Sequence, residues 1–209
     1  MTAKSALGIA ALSALLLASS QDARADVIMN FTESGSNVVG TASGSIDLAG
    51  LTFAFWTAGG GALYPAYPSG GSFAGLGAPG NPPIGVSAYT TGTISGPTSF
   101  GTGGLAFPNS GSGNPIDIAT AYTGFGTIIY LPNGYVSGSA LSSTSTWNST
   151  TFAALGLTPG TYVYKWGSGD HADSFTVNIG STNSVPEPGA ILLLGTSALA
   201  LVVRRSRTA

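Results

Sequence analysis

Two stretches near the end of the folded part decide the fold: residues 161–166, Thr-Tyr-Val-Tyr-Lys-Trp, and residues 174–179, Ser-Phe-Thr-Val-Asn-Ile. Each alternates large apolar with polar side chains, which is the period-2 pattern of a half-buried β-strand. A turn signal, Pro159-Gly160, precedes the first stretch. We predict an antiparallel hairpin with its large side chains on one core-facing side, in which the opposed pairs are Trp166 with Phe175, Tyr164 with Val177 and Tyr162 with Ile179.

The rest of the chain between the termini also reads as short strands. Val27, Met29 and Phe31 alternate with polar residues, and we expect Phe53 and Phe55 to share the face opposite Thr52. A short apolar run at 127–131 ends at a Pro-Asn-Gly turn signal, and no helical period lasts for three turns. Short strands separated by Gly and Pro predict an all-β fold, an antiparallel β-sandwich of the jelly-roll or Ig-like type.

Residues 57–115 have a different composition, because 24 of these 59 positions are Gly or Pro. We expect long surface loops around a few short strands, such as 86–91. Six aromatic residues lie in this region, and we expect them mainly to pin the loops to the core: Tyr64, Tyr67, Phe73, Tyr89, Phe100 and Phe107. Tyr64 and Tyr67 are at the same time the candidate contacts for a glycan.

Charge and cysteine usage exclude several classes of function. Between residues 26 and 182 there is one basic residue, Lys165, against six acidic residues, a net charge of −5. One lysine cannot form a basic stripe, so nucleic acid and anionic polysaccharide are poor partners. The chain has no cysteine, which excludes disulfides, thiol nucleophiles and thiolate metal sites.

The sequence gives little support to catalysis. The one histidine, His171, lies between Asp170 and Asp173, a set that could hold a metal, but a further ligand is not evident and a solvated polar loop is the expected structure. No serine lies in a Gly-x-Ser-x-Gly elbow. A hydrolase with paired carboxylates needs two acids that converge in a cleft, and the sequence does not identify such a pair. We therefore expect no enzyme, no cofactor and no metal site.

The N-terminus is typical of a secretory signal peptide. Lys4 supplies a positive charge, residues 6–18 are apolar, and Ala23 and Ala25 are the small residues that flank cleavage before Asp26. An uncleaved anchor is the alternative.

The C-terminus reads as a stalk, an apolar helix and a basic stop. Val-Pro-Glu-Pro at 185–188 should be extended and unpaired, because proline fixes φ and lacks a backbone donor. Residues 189–203 carry no charge and predict a single transmembrane helix of ~22 Å, short against a hydrocarbon core of about 30 Å. Arginines follow at once, which favours a cytoplasmic C-terminus. A plain anchor that no protease cuts is the alternative.

These three parts in this order resemble the PEP-CTERM sorting signal of Gram-negative bacteria that produce exopolysaccharide. The resemblance implies recognition by an exosortase and removal of the tail. It implies that Pro186, Glu187 and Pro188 form the recognition tripeptide and that Arg204 and Arg205 form the stop. Residues 152–176 are similar to the membrane-proximal ending of one group of PEP-CTERM surface proteins, which adds location but no chemistry.

We therefore expect three parts: a signal peptide at 1–25, an all-β extracytoplasmic domain at 26–182 and the sorting signal at 183–209. The expected protein is transiently anchored in the inner membrane and then reaches the cell surface or the medium. Its expected role is structural or adhesive, with the exosortase, the membrane and exopolysaccharide as partners. The alternatives are a secreted carbohydrate-binding module and a small hydrolase.

Overall fold

The computed structural model describes residues 25–67, 70–79 and 84–180, and these residues form an all-β domain. Its strands, in chain order, are β1 (Asp26–Ser34), β2 (Asn37–Gly44), β3 (Thr52–Gly59), β4 (Ala62–Tyr64), β5 (Phe73–Leu76), β6 (Ile84–Thr90), β7 (Ser110–Gly113), β8 (Ile116–Tyr122), β9 (Gly126–Pro132), β10 (Leu141–Trp147), β11 (Gly160–Trp166) and β12 (Asp173–Ile179). One short helix, α1 (Phe152–Leu155), and two 3₁₀ turns, Leu48–Gly50 and Gly169–His171, complete the described part. No helix within the described ranges has the length and apolarity needed to cross a bilayer.

The strands form two six-stranded sheets. The first sheet has the order β11-β12-β1-β2-β10-β7 and the second has the order β3-β6-β9-β8-β5-β4. One hydrophobic cluster draws buried residues from both sheets, among them Phe31 and Tyr164 from the first and Ile118 and Ile129 from the second. The two sheets therefore enclose a shared core, as a sandwich requires.

The first sheet is not purely antiparallel, which corrects the sequence-based expectation. Strand β1 lies antiparallel to β2 but parallel to β12, with Asp26 opposite Ser174 and Phe31 opposite Ile179. Parallel neighbours need a long crossover, and here nearly the whole domain forms it. The first and last strands are thus neighbours in the interior of the sheet, and β11 and β7 form its edges.

The hairpin of β11 and β12 is confirmed, but its predicted register is wrong by two residues. Tyr162 lies opposite Val177, Tyr164 opposite Phe175 and Trp166 opposite Asp173. A shift of two residues leaves every side chain on its face, because the side-chain period is 2. The large side chains therefore face the core as expected, and all of them are buried except Tyr162, which is half-buried.

The register follows from the loop that closes the hairpin. A 3₁₀ turn at Gly169–His171 shortens the loop, and the buried carboxylate of Asp173 accepts hydrogen bonds from the amides of Asp47 at 2.8 Å and Ser174 at 2.6 Å. A buried carboxylate needs such partners, so these bonds favour Asp173 at the first position of β12.

Two other patterns have different outcomes. The alternation in β1 is confirmed, since Val27, Met29 and Phe31 are fully buried. The shared face predicted for Phe53 and Phe55 is wrong, because a β-bulge lies between them. Phe53 stands opposite Tyr89 and Phe55 opposite Ala88, so the extra residue sends the two rings to different faces of the sheet.

In the region of 57–115, the strands β4, β5 and β7 are short, β6 has an ordinary length of 7 residues, and a long connection runs from 91 to 109. The loop residue Phe100 is fully buried and pins this connection to the core, as expected. Phe107 does not, because 59% of it is exposed. Tyr89 and Phe73 lie on strands and pack against the two hydrophobic clusters.

Candidate binding site on the outer face of the second sheet

The second sheet is apolar on both faces. In β9, Ile129 and Leu131 point into the shared core, while Ile128 and Tyr130 point to the outer face. This explains the continuous apolar run at 127–131, since a strand buried on both faces has no need to alternate. The outer face thus carries a second hydrophobic cluster made of Val86, Ala88, Ala119, Ile128 and Tyr130.

Five aromatic side chains surround that outer face, and we call them the outer aromatic cluster: Phe55, Phe73, Tyr122, Phe125 and Tyr130. The ring of Phe55 lies 5.3 Å from Phe125, 6.0 Å from Tyr122 and 6.4 Å from Tyr130. The ring of Phe73 lies 6.2 Å from Tyr130. These are normal distances for tilted and edge-to-face pairs. Tyr122 and Phe125 are the exposed members of the cluster.

A carboxylate lies buried beneath these rings. Asp117 is on β8, opposite Gly75 of β5 and Tyr130 of β9, and only 1% of it is exposed. Neither carboxylate oxygen has a hydrogen-bond partner among the described residues. Burial raises the pKa of Asp117 well above its usual value. The amide of Leu76 faces the carboxylate and offsets part of this shift, without making a hydrogen bond of ordinary geometry.

A glycine makes room for the carboxylate. A Cβ atom at Gly75 would collide with Oδ1 of Asp117, whereas one at Gly59 would press on Val86 at 2.9 Å and only touch Oδ2 at 3.4 Å. Any other residue at 75 would displace the acid, so the close approach of these strands depends on glycine there.

Asp117 lines a cavity of about 210 Å³. The other lining residues are 57–59 of β3, with Phe73, Val86, Tyr122 and Tyr130. Burial raises the pKa of Tyr130, and the neighbouring Tyr122 and Asp117 raise it further. The site is therefore a small aromatic pocket with a single acidic group at its base.

The backbone beside the pocket is strained. Ala121 has φ of 50°, and the pairing of β8 with β9 shifts register between Ala119 and Tyr122. A non-glycine residue in the left-handed region costs about 1–2 kcal/mol, so it persists only where the surroundings require it. This irregularity positions Tyr122 at the rim of the pocket.

The candidate glycan contacts Tyr64 and Tyr67 are half-buried, and their ring centroids lie 4.0 Å apart. Burial raises the pKa of Tyr67, and the nearby Tyr64, Tyr122 and Asp117 add to the shift. Tyr67 therefore lies close to the acidic pocket. Their contact with glycan stays a prediction.

In the polar loop at 170–173, the side chain of His171 is hydrogen-bonded to a distant residue and not to its sequence neighbours Asp170 and Asp173. Nδ1 of His171 lies 2.8 Å from Oδ2 of Asp47, which is 124 residues earlier in the chain. The amide of Ala49 and His171 both lower the pKa of Asp47, while burial raises the pKa of Asp173 to about 6. Asp170 is exposed. Across the described ranges, no three His, Cys, Asp or Glu side chains group as a metal site.

Another cavity, of about 500 Å³, lies at this end of the first sheet. Asp26 and Asp173 both line it, together with Lys165 and Trp166. Oγ of Ser174 donates a hydrogen bond of 2.7 Å to Asp26. The cavity brings two acids together, but both oxygens of Asp173 already accept backbone hydrogen bonds.

Sequence reasoning did not single out Asp117, although a signal was present. Asp117 interrupts an apolar strand, Ile116-Asp117-Ile118-Ala119. An acid in such a setting is either paired or functional. The signal cleavage residue Ala23 and the sorting residues Pro186, Glu187, Pro188, Arg204 and Arg205 lie outside the described residues, while Ala25 directly precedes β1.

Asp117 leads to a prediction about stability. The pKa of Asp117 is raised in the folded state, so the folded protein must bury a charge once the acid ionises. The free energy of unfolding therefore falls as the pH rises from about 4 to the folded pKa, and below about pH 4 the acid causes no such loss. We expect Asp117→Asn to raise the free energy of unfolding at pH 8 by about 1–3 kcal/mol, with a smaller gain at pH 4. Urea unfolding at both pH values measures the difference.

Exposed Asp170→Asn is the control and should change stability little at either pH. Asp173 also makes the free energy of unfolding fall as the pH rises to about 6. Because Asp173 is present in both the parent and the variant, its effect cancels in the comparison. Equal stability of the parent and Asp117→Asn at pH 8 would contradict the prediction.

Comparison with known proteins gives one match. Residues 184–207 match the PEP-CTERM protein-sorting motif, which confirms the resemblance drawn from the C-terminus. No curated protein and no solved structure matches the chain. The match supports an exported protein that is targeted to an exosortase and to the cell envelope or surface.

Proposed function

We propose that this protein, exported under its PEP-CTERM signal, is a non-enzymatic surface protein that adheres to the envelope or to a neutral polysaccharide matrix. The observation that carries the proposal is an exposed aromatic pair on edge strand β3. The rings of Phe53 and Trp56 lie 4.6 Å apart, and 72% of Trp56 is exposed. Exposed aromatic rings on a surface with little charge suit stacking on hydrated sugar rings.

The charge distribution supports a neutral partner. Within the described ranges the basic side chains are Lys165 and His171, and His171 contacts Asp47. Hydroxyl groups that reach solvent are plentiful along the first sheet, for example Ser142, Thr144 and Thr146 of β10. Such a surface can form hydrogen bonds with a hydrated glycan and needs no strong charge for contact.

The proposal includes the route to the surface. Residues 189–203 would hold the chain in the inner membrane with the C-terminus in the cytoplasm, and the exosortase would then cut near residues 186–188. Because β1 pairs with β12, an unfolded exported chain would complete its first sheet only after β12 has followed β1 across the membrane.

Retention on the matrix tests the proposal. We expect Trp56→Ala to lower retention on the producer's isolated polysaccharide by roughly tenfold, which is the loss of about 1.4 kcal/mol expected for one stacked aromatic anchor. The readout is co-sedimentation of the purified protein with the polysaccharide.

The matched control is Phe107→Ala. Phe107 is an exposed aromatic residue near β4, the opposite edge strand of the second sheet. Equal losses in the two variants would indicate non-specific hydrophobic contact and would count against the site. Unchanged retention of Trp56→Ala would refute it.

A carbohydrate-binding module is the second candidate. The contact between the rings of Tyr64 and Tyr67, and the position of Tyr67 beside the pocket, favour it. Tyr64→Ala and Tyr67→Ala should then abolish binding to defined oligosaccharides. A small hydrolase is the third candidate, for which Asp26 and Asp173 in the larger cavity are the acids. Turnover of a glycan that is lost in Asp26→Asn would favour it.

A further inference from the structure

We propose that the pocket at Asp117 binds an organic ammonium group. This goes beyond the adhesive function, which rests on the exposed edge strand β3. The pocket combines a buried carboxylate without a partner and a wall of aromatic rings. One class of ligand satisfies both features, a small cation that carries apolar or hydroxylated substituents.

The carboxylate lacks a counter-charge. Among the described residues the basic side chains are Lys165, which lines the other cavity, and His171, which pairs with Asp47. Neither lines the pocket at Asp117. An ionised carboxylate without partners is unfavourable in an apolar setting, and a bound cation removes that cost. Without a cation, burial raises the pKa of Asp117 and favours its protonated form. A bound cation stabilises the ionised form, and a neutral ligand does not.

The aromatic wall selects the same ligand. Phe73, Tyr122 and Tyr130 line the pocket with Asp117. The faces of aromatic rings attract cations, and such rings around an ammonium group are a known mode of recognition. A bare metal ion fits less well, since the hard cations need six or more oxygen ligands and the pocket supplies one carboxylate.

Tyr122 lies at the rim of the pocket. Both oxygens of Asp117 are shielded from solvent, while 43% of Tyr122 is exposed. A cation therefore reaches the carboxylate only after a side chain of the pocket moves, and we assign that movement to Tyr122. The neighbouring Ala121 has a strained backbone, a kind of feature that gathers at binding sites.

Titration calorimetry with the native protein purified from its own cells tests the proposal. Choline is the probe for a quaternary ammonium group and glucosamine for the primary ammonium group of an amino sugar. Their neutral counterparts are 3,3-dimethylbutan-1-ol and glucose. We expect saturable binding of at least one cation, and at least about tenfold weaker binding of its neutral counterpart. Binding of choline would indicate a quaternary ammonium ligand, and binding of glucosamine would indicate an amino sugar.

Asp117→Asn should weaken cation binding by at least about tenfold, while Asp170→Asn should leave it unchanged. Because Asp117→Asn removes a buried charge, it should fold at least as well as the parent, and thermal melting checks this. Equal binding of the cation and its neutral counterpart, no cation binding at all, or full binding by folded Asp117→Asn would each overturn the proposal.

The outcome is separable from that of the proposed function. Retention on polysaccharide depends on Trp56, and ammonium binding depends on Asp117, so each variant is measured in both assays. Retention lost in Trp56→Ala and cation binding lost in Asp117→Asn would establish two independent sites. Failure of one assay leaves the other readout intact.

Discussion

Alanine in place of Pro186, Glu187 and Pro188 together is expected to stop C-terminal processing, so that the chain remains full length and membrane-bound. Proline fixes φ and lacks an amide donor, so we expect the two prolines to favour an extended segment that a membrane-embedded protease can bind. Three alanines favour helix instead and would extend the helix predicted at 189–203 into this segment. Mass spectrometry of the protein from membranes and from medium measures both mature ends.

The parent is expected to lack most of residues 186–209, and the triple variant is expected to retain them all. Val185→Ala is the matched control, because it changes a neighbouring residue and leaves the tripeptide intact. A parent protein that keeps residues 186–209 in the mature form would contradict the prediction. The segment would then be a plain anchor.

Phe31→Ala is expected to produce the largest loss of stability in the domain, about 3–5 kcal/mol. Phe31 is fully buried on β1, and its ring lies 6.0 Å from the ring of Trp147 on β10. Its cross-strand neighbour on β2 is Gly40, where an added Cβ would lie 2.9 Å from the ring of Phe31. The ring thus fills space that a smaller side chain would leave empty.

The loss is large relative to the total stability of typical domains, about 5–15 kcal/mol. The chain has no cysteine and therefore no disulfide to compensate. Urea unfolding followed by tryptophan fluorescence measures the change. Exposed Phe107→Ala removes the same ring and should alter stability by no more than about 0.5 kcal/mol. Equal losses in the two variants would show that Phe31 does not anchor the core.

Much of the fold could be predicted because its signals are local. The strand signals are carried by 9 consecutive residues in β1 and by 7 in each of β9, β11 and β12. Alternation alone assigns side chains to the two faces of a strand. This assignment was correct for the hairpin even though its predicted register differs by two residues from the observed one. The bulge at Phe53 and Phe55 shows the limit, because one inserted residue reverses the face.

The candidate site was harder to predict. Asp117 was visible as an acid in an apolar strand, but its neighbours in space come from elsewhere in the chain: Gly59 on β3, Gly75 on β5 and Tyr130 on β9. In the same way, His171 was considered with its sequence neighbours, whereas its partner is Asp47. Contacts of this kind depend on which strands become neighbours in the sheet, and the sequence of a single strand does not indicate its neighbours.

The linear chain was sufficient for the all-β class and for the sorting signal. Both are properties of consecutive residues, since a strand follows from local alternation and the sorting motif is a run of neighbouring residues, 184–207. Three-dimensional folding alone determined that β1 and β12 pair in parallel, that Phe53 and Phe55 diverge and that an acid lies unpaired beneath aromatic rings. These features result from contacts between segments far apart in sequence, where the packing of one strand determines the environment of another.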